Sequence, residues 1–205
     1  MHTRTRRMVI LAAFGASLAI LSEAEPLEEL AEGNLVFHMF QHFLIGLGGF
    51  FVGRSLILLR PDGSLLPAHL LKGGYPWAAL FLSLFTFWHV PSVYSAAVLP
   101  GNELLHLAEH VSFFSSSLFI AVVAPYMSRG FKAFFIFLFG NMNSMMGVLY
   151  SVNGGNLFWP YPAYQQNEFG FLMSITGFLT MSAGTYLYFV LSEPGSASRS
   201  TEAES

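Results

Sequence analysis

Apolar positions in this chain form long blocks separated by short polar stretches, rather than the one-in-two or one-in-four alternation of a half-buried strand or helix. The blocks fall at residues 8–21, 35–59, from 75 to 90 or a little further, 104–127, 131–152 and 169–191. Several exceed the roughly 18 consecutive apolar residues that mark a helix able to cross a bilayer. The pattern predicts an all-α integral membrane bundle of six transmembrane helices. It forms a single domain over residues 1–192, followed by a Ser/Glu-rich, disordered cytoplasmic tail over 193–205. The first block is short, and Ser22-Glu23-Ala24 offers small residues of the kind a signal peptidase reads. Cleavage after Ala24 is the alternative for that block; it would leave five spans and is expected not to touch the candidate site below.

Six spans put both termini on one side, and the basic residues say which. Arg4, Arg6 and Arg7 precede the first block; Arg54, Arg60 and Lys72 lie at or between the ends of the second and third. Arg129 and Lys132 lie between the fourth and fifth, and Arg199 is in the tail. All nine fall on the side of the termini, so the positive-inside rule makes the termini cytoplasmic. Residues 60–74 form the longest inner connection, a turn-rich linker with Pro61, Gly63 and Pro67. The first outer loop, 23–32, is acidic and reads as a solvated face with only a weak hint of cation capture.

Composition agrees with a multi-pass protein of the cell membrane, embedded in lipid. Only 10% of residues are charged and 54% are hydrophobic, against about 25% charged in a soluble domain. A net charge of −3 without a basic patch excludes nucleic acid as a partner. The absence of cysteine removes disulfides, zinc ribbons, iron–sulfur clusters and thiolate copper sites.

Placing the side chains on these spans gathers five of the seven histidines in the extracytoplasmic half of the bilayer. At 1.5 Å per residue, His38 and His42 sit about 6 and 12 Å below the outer end of the second span, and His106 and His110 about 8 and 14 Å below that of the fourth. Each pair is spaced i, i+4 and therefore shares a helix face. His89 lies in the outer half of the third span; Pro91 should bend that span, aim His89 inward and free a nearby carbonyl. His38, His42, His89, His106 and His110 are the candidate metal ligands, with Glu109, Met39, Met145 and Met146 as supporting groups. Imidazole suits copper, iron and zinc, and thioether selects Cu(I). Glu109 has a simpler reading, holding the second ring nitrogen of a histidine, and the methionines are ordinary gap-fillers first. Asn141, Asn143 and Ser144 are expected to join helices by hydrogen bonds, and Gly46, Gly48, Gly49 and Gly53 to allow close helix packing. The last outer loop adds Tyr161, Tyr164, Gln165, Gln166 and Glu168.

Three motifs carry a family resemblance. His38-Met39-Phe40-Gln41-His42 resembles an HMxQH segment, Trp88-His89-Val90-Pro91-Ser92-Val93-Tyr94-Ser95-Ala96-Ala97 a WHxPxxYxxA segment, and Leu105-His106-Leu107-Ala108-Glu109-His110 an LHxxEH segment. All three belong to the membrane-integral CtaG family of cytochrome c oxidase assembly factors. Tyr161-Pro162-Ala163-Tyr164, Gln165-Gln166, Gly170 and Met173 resemble its later region. The order and spacing match over residues 37–190, in a chain shorter than the seven-span bacterial members. The resemblance implies a copper-binding protein, not an enzyme, that assists assembly of a heme-copper oxidase or delivers copper to it or to another copper enzyme. The residues alone leave open a heme b clamped by axial histidines, an accessory subunit of a larger respiratory or copper-enzyme complex, and a di-iron type membrane oxidase.

Overall fold

The computed structural model describes residues 2–59, 74–152, 157–158 and 160–192; the tail 193–205, His69, Lys72 and most of the 60–74 linker lie outside them. Among the described residues the chain is all α: eight helices and one short 3-10 turn, Ala124–Tyr126. They are α1 (His2–Ser22), α2 (Glu25–Gly33), α3 (Leu35–Leu59), α4 (Tyr75–Trp88), α5 (Pro91–Ala97), α6 (Glu103–Val123), α7 (Arg129–Val152) and α8 (Ala163–Ser192). Four of these, α1, α3, α6 (continued by the 3-10 turn) and α7, are long and apolar enough to cross a membrane; α4 and α5 together make a fifth if the bent pair is one span. At 30 residues α8 is also long enough, but its polar first turns and scattered Ser, Thr and Gly dilute the apolar run of the sixth predicted block.

The surface is what a lipid-facing bundle requires. Phe37, Phe40 and Phe43 on α3, and Phe171 and Phe178 on α8, point outward. In lipid, burying apolar surface would give little drive to bring such helices together, and close backbone packing would have to do it. Glycine supplies that closeness, as expected for α3. A Cβ on Gly48 would lie 2.7 Å from the Gly15 carbonyl oxygen of α1, and one on Gly49 or Gly53 would collide with the Phe114 or Leu118 carbonyl of α6. The same device joins α7 to α8, where a Cβ on Gly170 would stand 2.7 Å from the Gly147 carbonyl oxygen. The polar residues of α7 do less than expected: Asn143 donates to the Phe139 carbonyl and Asn141 to the Met145 sulfur, both within their own helix, because i, i+4 acceptors lie nearer than the next helix.

Two local features set up the site. Asn34 caps α3, its Oδ1 accepting the Val36 and Phe37 N–H groups at 2.9 and 3.3 Å. The predicted bend is also present: α4 and α5 meet at 74° across His89 and Val90. Pro91 has no N–H with which to continue the helical ladder; past the break the Val93 N–H bonds the Val90 carbonyl at 2.9 Å, and the His89 carbonyl accepts the Tyr150 hydroxyl at 2.8 Å.

Candidate metal centre

Four imidazoles meet inside one end of the bundle. His38 and His42 come from α3 and His106 and His110 from α6; one ring nitrogen from each lies within 4.8 Å of all the others. The sequence register explains the meeting. Both helices run away from this end, both pairs are spaced by four, and their depths match. His38 therefore stacks on His106 with ring centroids 5.3 Å apart, and one turn deeper His42 meets His110 at 5.1 Å. The upper and lower tiers touch as well, His38 on His42 at 4.6 Å and His106 on His110 at 4.2 Å. Phe113 packs on the His42 ring at 4.7 Å and closes the cluster from below.

The Nδ1 atoms of His38 and His110 are held by groups from other elements, and that of His106 has a carboxylate nearby. Tyr161 donates its hydroxyl proton to the Ala31 carbonyl at 2.9 Å and lies 3.1 Å from His38 Nδ1. With that single phenolic proton used, His38 Nδ1 must carry its own hydrogen toward Tyr161, which leaves the Nε2 lone pair bare. His110 Nδ1 sits 2.8 Å from Glu23 Oε1, and His106 Nδ1 is 3.9 Å from Glu28 Oε1. Glu28 is itself steadied by Gln41, which donates to it at 2.6 Å and to the Ser22 carbonyl at 2.9 Å. Gln165 accepts the Leu35 N–H at 3.0 Å, and Gln166 donates to the Tyr161 carbonyl at 2.7 Å, so the start of α8 positions both His38 and its tyrosine.

Burial raises the Tyr161 hydroxyl to about 12, which keeps it protonated and able to donate. Partial burial works against ionisation of Glu23, but its hydrogen bond with His110 and the nearby charge of His110 and His106 prevail and hold its carboxyl below the ordinary range.

Facing the middle of the cluster, the Nε2 atoms of His38, His106 and His110 and both ring nitrogens of His42 are buried without a hydrogen-bond partner. Glu109 is 0% exposed, and neither of its oxygens has a hydrogen-bond partner. Its Oε1 stands 3.6 Å from His42 Nε2, too far for the hydrogen bond that a simple holding role requires. Buried polar atoms are rarely left so. Four converging imidazoles beside a buried carboxyl without a hydrogen-bond partner form a donor set that fits a metal cation, with the Tyr161 and Glu23 contacts to Nδ1 as the orienting outer shell such sites carry.

The remaining predicted residues lie around this quartet. His89, buried beside Phe113, caps α4: its Nδ1 donates to the Phe85 carbonyl at 2.8 Å and its ring stacks on Phe85 at 4.1 Å, so it is not one of the four. The cluster thus draws on two spans and not three. Met39 and Met146 pack into the apolar cluster around Leu35, Tyr94 and Tyr150, while Met145 is 66% exposed. The acidic loop is more than a solvated face, since Glu23 and Glu28 reach the histidines. Cleavage after Ala24 would accordingly remove the partner of His110. The only sequence sign of this was the position of two carboxylates directly before a histidine-bearing helix.

Comparison with protein-family models, curated proteins and solved structures gave no match for this chain. The reading of the site therefore rests on its own chemistry.

Proposed function

We propose that this chain is a membrane-integral copper-binding protein that assists assembly of a heme-copper oxidase or delivers copper to it. It would cross the membrane six times, with α8 as the sixth span, both termini cytoplasmic and the histidines toward the extracytoplasmic face. The observation that carries the reading is the meeting of four imidazoles, one ring nitrogen of each within 4.8 Å of the others, where every ring also has a buried nitrogen without a hydrogen-bond partner. Nitrogen sites of this kind bind Cu(II) most tightly among the first-row divalent ions, and a chain without cysteine has no thiolate to hold the metal more firmly. The HMxQH, WHxPxxYxxA and LHxxEH resemblances favour the oxidase as client. Sidedness is supported by basic residues at the opposite helix ends, Arg4 on α1 and Arg129 and Lys132 on α7. Cargo transfer also accords with a ligand set built of imidazoles and without thiolates.

Heme is less favoured by the packing. Across the two helices His38 lies on His106 and His42 on His110 with ring centroids 5.3 and 5.1 Å apart, which leaves no planar slot between these rings for a porphyrin.

Metal analysis of detergent-purified protein tests the proposal. Wild type is expected to carry stoichiometric copper, and His42→Ala and His110→Ala little or none. Equal copper in all three, none in any, or a Soret band with one heme per chain would overturn it. Co-purification with an oxidase in fixed ratio would instead make the chain a permanent subunit.

A further inference from the structure

The four histidines are not equally enclosed. A cavity of about 520 Å³ opens beside the cluster, between the end of α2, the α5–α6 turn and the segment leading into α8. His38 and His106, the upper tier, line it; His42 and His110, one turn deeper, do not. Tyr161 and Leu99 form part of the wall, and two carboxylates, Glu32 and Glu103, are the acidic groups on it. The side chain of His106 is 22% exposed against 5% for His42 and His110. It is also the most loosely held, with its nearest carboxylate oxygen 3.9 Å away. His38 is almost fully buried, and its Nε2 has no hydrogen-bond partner.

Resting on the metal-carrier reading above, we infer that this cavity is the route by which the metal reaches and leaves the histidines. Glu32 and Glu103 give a hydrated divalent cation a weak first station. His38 and His106 are the pair that exchanges it, and His42 and His110, beside Glu109, are the pair that retains it. A low-dielectric cleft lined by carboxylates concentrates cations at its mouth and speeds their capture. The inner tier has no opening of its own on this cavity, so cargo passes the upper pair in both directions.

The test is stopped-flow loading of full-length protein in detergent with Cu2+, read by quenching of tryptophan fluorescence; Trp88 is buried in the apolar cluster that contains Phe113, the ring packed on His42. In the double variant Glu32→Gln, Glu103→Gln, loading at low ionic strength should slow about tenfold or more and the difference should vanish at high salt, with final stoichiometry unchanged. Glutamine keeps an acceptor for the Gly101 N–H that Glu103 now binds at 3.1 Å. As a second measurement, Leu99→Cys introduces a sole thiol into a cysteine-free chain, at a side chain already 39% exposed. Its bulky maleimide adduct should load far more slowly than the unmodified variant. Unchanged rates in both experiments, with normal copper content, would overturn the route and leave the site intact. Failure of wild type to take up copper at all would overturn both.

Discussion

At the scale of single residues, the site depends on which nitrogen of each imidazole is occupied. Tyr161 decides this for His38: its own proton goes to Ala31, so the histidine must point a hydrogen at the phenol and a lone pair at the cluster. Tyr161→Phe should therefore weaken copper binding about 10- to 100-fold, as loss of an outer-shell partner usually does, measured by competition with a chelator. The accompanying loss of stability should be about 2 kcal/mol, two buried hydrogen bonds, read from thermal unfolding of the metal-free protein. A variant that binds copper as tightly as wild type would show that Tyr161 merely packs. Glu109 is the converse case: it lacks any hydrogen-bond partner at full burial, a condition that positive charge in the neighbouring site would relieve.

Among elements, the deciding contact is α3 against α6. The histidines meet only because Gly49 and Gly53 let the Phe114 and Leu118 carbonyls approach to backbone distance. Gly49→Ala should push α6 outward, cost about 1–3 kcal/mol and lower copper stoichiometry although no ligand is altered. Gly33→Ala, where nothing lies within 4 Å, is the matched control and should do neither. Thermal unfolding together with metal content reads both. Much of this was legible beforehand: the spacing put each histidine pair on one helix face and both pairs at matching depths, and the glycines foretold close packing, but that the two pairs face each other was not readable from the chain. What could not be read was the use of each side chain by its immediate surroundings. His89 looked like a fifth ligand because the bend at Pro91 was foreseeable, while the Phe85 carbonyl that takes both its backbone N–H and its ring N–H was not. Glu23 and Glu28 were hidden because a run of acidic residues reads as solvated until a tertiary contact brings it over a particular nitrogen.

For the whole molecule, the two ends of the bundle differ in character. One gathers the histidines, Glu23, Glu28, Glu32 and Glu103; the other carries Arg4, Arg129 and Lys132, with the Arg4 guanidinium donating to the Leu58 carbonyl at 2.7 Å. If the basic end is cytoplasmic, Glu103→Cys in intact cells should react with a membrane-impermeant thiol reagent and Arg129→Cys should react only after lysis. The reverse pattern would invert the orientation and point the cavity at the cytosol.

The four-residue rhythm shared by α3 and α6 has one more consequence. Ligands and glycine contacts repeat at the same interval: 38 and 42 against 106 and 110, 49 and 53 against 114 and 118. Sliding α6 by one turn, about 6 Å, would reseat the carbonyls against glycine yet leave a lone cross-helix pair of imidazoles where there had been two. The interface thus works like a ratchet with matching teeth, a geometry in which one-turn jumps are known to occur. Its present notch is fixed from outside the two helices, by the clasp of Glu23 on His110 and of Tyr161 on His38.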